Sequence, residues 1–171
     1  MQNLIIALFT LLMALPPSRH DTETRDERAG RMWVIAHAVA TVSRNEREAL
    51  ALIVQGWKES KFDRAVVAGQ CRTGTCDLGK ARSAWQLQEH KRNAVDWDSL
   101  VGTDPVYVLK SAEWAVFSMR RCRRYDHAFQ AQGGGRCESG PRGDERYAML
   151  LDAEQKLRDI RAGRKVRVSW K

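Results

Sequence analysis

The sequence of 171 residues contains no internal repeat, no glycine-rich phosphate loop and no recognisable nucleic-acid-binding motif. A stacked solenoid, a P-loop nucleotide enzyme and a motif-bearing DNA-binding domain are therefore poor descriptions of it. Cysteine is sparse, at four residues, and no two are spaced Cys-x-x-Cys or joined by a close His pair. A structural zinc site needs such a spacing, so neither metal nor organic cofactor is expected. No apolar run is long enough to cross a bilayer. The longest, LIIALFTLLMAL at residues 4–15, falls short of the ~20 residues required. No Lys or Arg precedes it either. The run fits the core of a signal peptide ended by Pro16-Pro17, with an uncleaved anchor or a buried helix as rivals. Residues 1–17 are thus expected to be a signal peptide or a short N-terminal apolar segment.

What is present describes one globular domain. A 43% hydrophobic chain with six tryptophans can bury a core, and its length suits one domain rather than two. The net charge of +8 favours an anionic partner such as nucleic acid, phospholipid or an acidic cell-wall polymer, unless it serves solubility alone. Cys71, Cys76, Cys122 and Cys137, an even number behind an apolar N-terminus, suggest two disulfides in an oxidising compartment. Three pairings are open. The local one joins Cys71 to Cys76 and Cys122 to Cys137, and its larger loop would stabilise the fold by about 3 kcal/mol.

Along the chain, residues 18–28 are charged without apolar periodicity and read as a linker or a solvated helix start. Residues 29–42, with Met32, Trp33, Val34, Ile35, Val39 and Val42, read as a mostly buried helix. Ser43-Arg44-Asn45-Glu46 matches a Ser-x-x-Glu capping box. Behind it Leu50, Ile53, Val54 and Trp57 form one core-facing stripe, and the helix should end near Ser60. Residues 63–81 are broken by Gly, Thr and polar residues and suggest a small irregular or β-hairpin-like excursion. Asp104-Pro105 should start a helix that runs to about Tyr125 and ends in Arg120, Arg121, Arg123 and Arg124. A short helix over 126–132, a turn at Gly133-Gly134-Gly135 and a helix over 142–160 follow. In that last helix Tyr147, Leu150, Leu151, Leu157 and Ile160 recur at helical spacing. The basic tail, 161–171, alternates at Val166-Arg167-Val168-Ser169-Trp170, as an edge strand or a flexible arm would. The globular domain spans 29–160.

The chemistry concentrates at residues 57–88. Glu59 sits on the last turn of a packed helix, between aromatics and near the negative end of the helix dipole. That setting favours the protonated carboxyl and suits a general acid. Glu59-Ser60, with Phe62 behind it, is followed by Ala81-Arg82-Ser83-Ala84-Trp85-Gln86-Leu87, then by Ala128-Phe129-Gln130-Ala131-Gln132 after a long helix, then by Tyr147. In this order the pieces resemble the lysozyme superfamily, most closely the soluble lytic transglycosylases and the goose-type lysozymes. Those families carry Glu-Ser, a Gly-Leu-Met-Gln-type segment, an Ala-Tyr-Asn-Ala-Gly motif and a Tyr near the start of the last helix. The resemblance covers roughly residues 45–157. It is that of a divergent member: Ser83, Ala84 and Trp85 replace Gly, Leu and Met, Phe129 replaces Tyr, and Gln130 replaces Asn.

The resemblance implies a mainly α, lysozyme-like fold with the small excursion after the catalytic helix. It implies a peptidoglycan lytic transglycosylase that cleaves the MurNAc–GlcNAc β-1,4 bond and leaves 1,6-anhydro-MurNAc. Glu59 would be its acid and base. Gln86 and Gln130 would hydrogen-bond the glycan, Trp85 and Phe129 would offer apolar faces to sugar rings, and Ser60, Ser83 and Tyr147 would position substrate and acid. Besides a secreted DNA- or membrane-binding protein, whose basic residues should form one continuous stripe, two other readings stay open, both acting on glycan. A hydrolysing muramidase would use a second carboxylate, Asp77 or less readily Asp63. A non-catalytic basic module would bind the same glycan without cleaving it. The partner in each case is the peptidoglycan strand, met by a monomer in the periplasm or outside the cell, with envelope contact through basic residues and no role for nucleic acid.

Overall fold

A computed structural model of the chain describes all residues except 1, 19–21, 72–80, 89–96, 132–134 and 171. The expected mainly α architecture is what it shows. Seven helices are described: α1 Gln2–Ala14, α2 Arg25–Val42, α3 Glu46–Ser60, α4 Arg64–Val67, α5 Pro105–Arg120, α6 Tyr125–Ala131 and α7 Pro141–Arg161. A two-stranded antiparallel hairpin, β1 Ala81–Arg82 and β2 Leu87–Gln88, and a 3₁₀ turn at Trp97–Leu100 complete the described elements.

Helix α3 is the centre. Every residue from Ala49 to Trp57 is buried, so it is enclosed on all sides rather than along one stripe, and α1, α2, α5 and α7 pack around it. Its start differs from the expected box. Ser43 instead terminates α2, and Asn45 is the cap, its side chain accepting from Glu48 N–H at 2.9 Å. The Glu48 carboxylate reaches back to Arg44 N–H at 2.6 Å. The box is therefore shifted by two residues, because Asn accepts from the free backbone N–H groups as well as Ser does.

Helix α2 starts earlier than apolar periodicity indicated. Thr24 and Glu27 form a reciprocal capping box, so Arg25 to Arg28 belong to the helix, and Arg28 is buried with Nη2 donating to Leu15 O at 2.9 Å. The apolar N-terminal segment is α1, and Leu8, Leu11 and Leu12 are fully buried in the common core. No helix among the described residues is long and apolar enough to cross a membrane.

The described start of the excursion after α3 contains a short helix, α4. Lys61 and Phe62 both adopt positive φ, 50° and 51°, which turns the chain back under the helix end. A Cβ on Gly56 would lie 2.4 Å from a Phe62 ring carbon, so the ring occupies space that only glycine leaves. Asp63 then caps α4, accepting from Ala65 N–H at 2.9 Å and Val66 N–H at 3.3 Å. The β-hairpin falls at 81–88, on the Ser83–Leu87 motif itself.

Helix α5 begins at the expected Asp104-Pro105 cap but stops at Arg120. The Cys122–Cys137 disulfide is present and ties its end to the segment before α7. No described cysteine is free, while Cys76, and with it the expected Cys71–Cys76 pairing, lies outside the described residues, as do Gly133 and Gly134 of the expected turn. In α7 the buried positions are Gly143, Arg146, Met149, Leu150, Ala153 and Leu157, whereas Leu151 faces solvent. The tail is neither strand nor free arm over its described residues. Val168 and Trp170 are buried, with Trp170 Nε1 donating to Asp152 at 2.8 Å.

Glu48 also joins α3 to α5, accepting from Arg120 Nε at 2.8 Å and Nη2 at 2.7 Å. Burial by itself raises the Glu48 carboxyl. The hydrogen bonds from Arg120 and from Arg44 N–H outweigh it and hold the group below its ordinary 4.5. A depressed folded value gives stability that is present above about pH 4.5 and is lost as pH falls through the folded value. Glu48→Gln is therefore expected to lower the urea midpoint at neutral pH and to flatten its decline in acid. Urea titrations across that range measure both effects.

Candidate active site

Two consecutive turns at the end of α3 build the site. Gln55 and Glu59 are four residues apart and so share one helix face. Gln55 Nε2 donates to Glu59 Oε1 at 3.1 Å. From α7, Arg146 Nη1 lies 2.7 Å from the same Oε1 and donates to Gln55 Oε1 at 2.8 Å. Arg146 is buried, and its Nε has no hydrogen-bond partner among the described residues. The neighbouring Lys58–Glu145 ion pair, 2.6 Å, fixes the same two helices to each other.

Both contacts fall on Oε1. Glu59 Oε2 has no protein partner among the described residues, and the side chain keeps 21% of its exposure. One oxygen is anchored and the other is not. The expected apolar surroundings are thereby corrected: the carboxyl faces a guanidinium and an amide, because α7 places a cation in its core register at this level.

The floor is the β1–β2 turn, locked to the end of α3. Ser60 Oγ donates to Ala84 O at 2.6 Å, lies 3.0 Å from Gly56 O, and accepts from Phe62 N–H at 3.0 Å. Trp85 Nε1 donates to Leu52 O at 2.9 Å. Gln86 Nε2 donates to the backbone carbonyl of Glu59, one of the last helix carbonyls and so without an intrahelical partner. Ser83 and Gln86 hold positive φ, 70° and 45°, and Ser83 Oγ accepts from Trp85 N–H at 3.3 Å.

The expected site residues divide accordingly. Ser60, Ser83, Trp85 and Gln86 gather around the end of α3 with Glu59. Ser60 and Ser83 are buried and bond the turn itself. Trp85 is completely buried, edge-on to Phe62 at 6.5 Å, so it supports the turn and offers no face to a sugar. Phe129 on α6 is likewise completely buried, which corrects its assignment as a sugar platform. Gln130 accepts from Gly143 N–H at 3.0 Å and thereby caps α7, whose own cap, Gly140, has no side chain. Tyr147 accepts from Arg47 Nη2 at 2.8 Å, and that arginine also lies over the Tyr125 ring. The tyrosine is thus tied to the first turn of α3 rather than to Glu59. Asp63 is occupied as the α4 cap, and Asp77 lies outside the described residues.

Gln55 and Arg146 went unread in the sequence. Gln55 was accessible through its i, i+4 relation to Glu59. Arg146 left a fainter trace, a cation in the buried register of α7 with Gly143 before it and Leu150 after it. No cluster of three or more potential metal ligands occurs among the described residues.

Comparison of the chain with family models, with curated proteins and with solved structures finds no match.

Breaking a wholly buried ion pair costs about 3–5 kcal/mol, and partial exposure of Glu59 reduces that to about 1–3 kcal/mol here. Arg146→Leu is expected to lose that much in urea unfolding. Glu59→Gln should lose a comparable amount, since an amide oxygen can still accept from Arg146 but leaves the buried guanidinium without its counter-charge.

Proposed function

We propose that this protein is a peptidoglycan lytic transglycosylase with Glu59 as its acid and base. The observation that carries this reading is the asymmetric carboxyl, with Oε1 held by Gln55 and Arg146 and Oε2 without a protein partner among the described residues, on a side chain that is 21% exposed. The order of the Glu59-Ser60, Ser83–Leu87, Ala128–Gln132 and Tyr147 segments, similar to that of the lytic transglycosylases, supplies the substrate class.

Cleaving a glycosidic bond requires a proton on the leaving oxygen while positive charge develops at the sugar carbon. Oε2 would deliver that proton. Arg146 then stabilises the carboxylate left behind, and its second bond, to Gln55 Oε1, keeps the guanidinium partnered while Glu59 is neutral. The carboxylate next accepts the proton of the muramic acid 6-hydroxyl, whose oxygen closes the 1,6-anhydro ring. That nucleophile belongs to the same sugar, so its high effective concentration replaces an activated water. A single carboxyl suffices, which agrees with Asp63 being occupied as a helix cap. The buried Ser60 and Trp85 act by fixing the turn that carries Gln86 beside Glu59.

Digestion of purified peptidoglycan followed by mass analysis tests the proposal. Fragments ending in an anhydro sugar are expected, and Glu59→Gln should slow their release by about 10²–10⁴-fold. Products heavier by one water would assign a muramidase instead. Binding without any cleavage would remove the enzyme reading altogether.

A further inference from the structure

Away from Glu59, helices α1, α2 and α5 carry most of the exposed apolar bulk. Among the described residues, Ile6, Trp33, Val106, Tyr107 and Phe117 all belong to these helices, and Leu151 is the one other large exposed hydrophobic. Trp33 is 41% exposed and Phe117 is 61% exposed. Phe9, Trp33 and His37 form a continuous part of it. Phe9 meets Trp33 edge-on at 5.3 Å, and Trp33 meets His37 at 4.8 Å. A cleft of about 320 Å³ runs from Trp33 to Thr41 against Leu109, and a second, of about 500 Å³, runs from Thr41 to Trp114 and Phe117.

Charge is distributed unusually over this layer. The sequence of α1 has no charged residue, and residues 32–42 of α2 have none but the titratable His37, in a chain with 29 Lys and Arg and 21 Asp and Glu. The outer side of α5 carries Lys110, Glu113 and Phe117, and Arg121 follows one turn later on the same side. Arg121 and Arg123 are exposed and make no ion pair among the described residues, whereas Arg120 is bound to Glu48 and Arg124 to Asp126. An aromatic strip thus ends in uncommitted cations.

We propose that this face seats on an anionic lipid bilayer surface. Trp33, Trp114 and Phe117 enter the boundary between headgroups and acyl chains, while Lys110, Arg121 and Arg123 meet lipid phosphates. Aromatic and aliphatic side chains on one face, with basic residues beside them, are the chemistry of interfacial binding, where apolar burial and attraction to anionic headgroups add. Electrostatics favours lipid over a second copy of the chain, because a +8 protein repels itself and two such faces would oppose Arg121 and Arg123 to their own kind. The proposal does not rest on glycan cleavage, since Glu59 lies outside this face.

Co-sedimentation of the full chain with phosphatidylcholine vesicles, with and without phosphatidylglycerol, tests it. The protein is expected to sediment with the anionic vesicles and to show a blue-shifted tryptophan emission. Phe117→Ser, at the most exposed of these positions, should weaken binding several-fold with little change in the thermal midpoint. Trp33→Ser/Phe117→Ser should weaken it about tenfold or more, with the fold confirmed by circular dichroism, since Trp33 also packs on Phe9 and His37. Arg121→Glu/Arg123→Glu should abolish the preference for anionic lipid. Glu59→Gln should bind as the parent does. A parent chain that stays in the supernatant, or a double serine variant that binds equally well, overturns the proposal. So does self-association of the parent by light scattering that the serine variant lacks, which would assign the face to a second copy.

Discussion

At Gly56 the central helix has no side chain, and the space is taken by the ring of Phe62, with Trp85 Nε1 only 3.2 Å from where a Cβ would stand. This close approach governs the end of α3. It draws the chain after Ser60 back beneath the helix through two residues of positive φ and brings the β1–β2 turn against the last helical carbonyls. The carboxyl of Glu59 is consequently carried by a helix terminus bonded to the turn beneath it, through Ser60 and Gln86. A site on a rigid element holds its geometry better than one on a loop.

The guanidinium of Arg146 is the second constraint. A buried cation is costly unless it is paired and hydrogen-bonded, and here it has both an ionic partner in Glu59 and an amide partner in Gln55. The arrangement couples the packing of α7 on α3 to the state of one carboxyl. It also means that the side chains bonded to the Glu59 carboxyl, Gln55 and Arg146, are not those that motif resemblance singled out.

Much of the local architecture was legible in the sequence. The Leu50, Ile53, Val54 and Trp57 stripe lies in the core, Asp104-Pro105 starts α5, and α7 spans nearly the expected residues. Boundaries slipped where two caps competed within three residues, as at Ser43 and Asn45. They also slipped where a helix began with charge rather than apolar residues, as at Thr24. Phe129 falls on the expected short helix, whereas the hairpin around Trp85 lies beyond the expected 63–81 excursion, and both aromatics are core rather than groove. A tryptophan in a motif looks the same whether its ring faces a groove or fills the space beneath one.

Sequence by itself determined most of the longer helices, the Asp104-Pro105 start of α5 and the place of Glu59 at a helix end, because these follow from hydrogen bonds and periodicities that span only a few residues. Tertiary structure alone brought Arg146 to Glu59. Gln55 and Arg146 stand 91 positions apart and come together only when α7 packs on α3. The same packing decided which aromatics are core and which remain on the α1–α2–α5 face, since burial belongs to neighbouring helices and not to a residue's own stretch of chain.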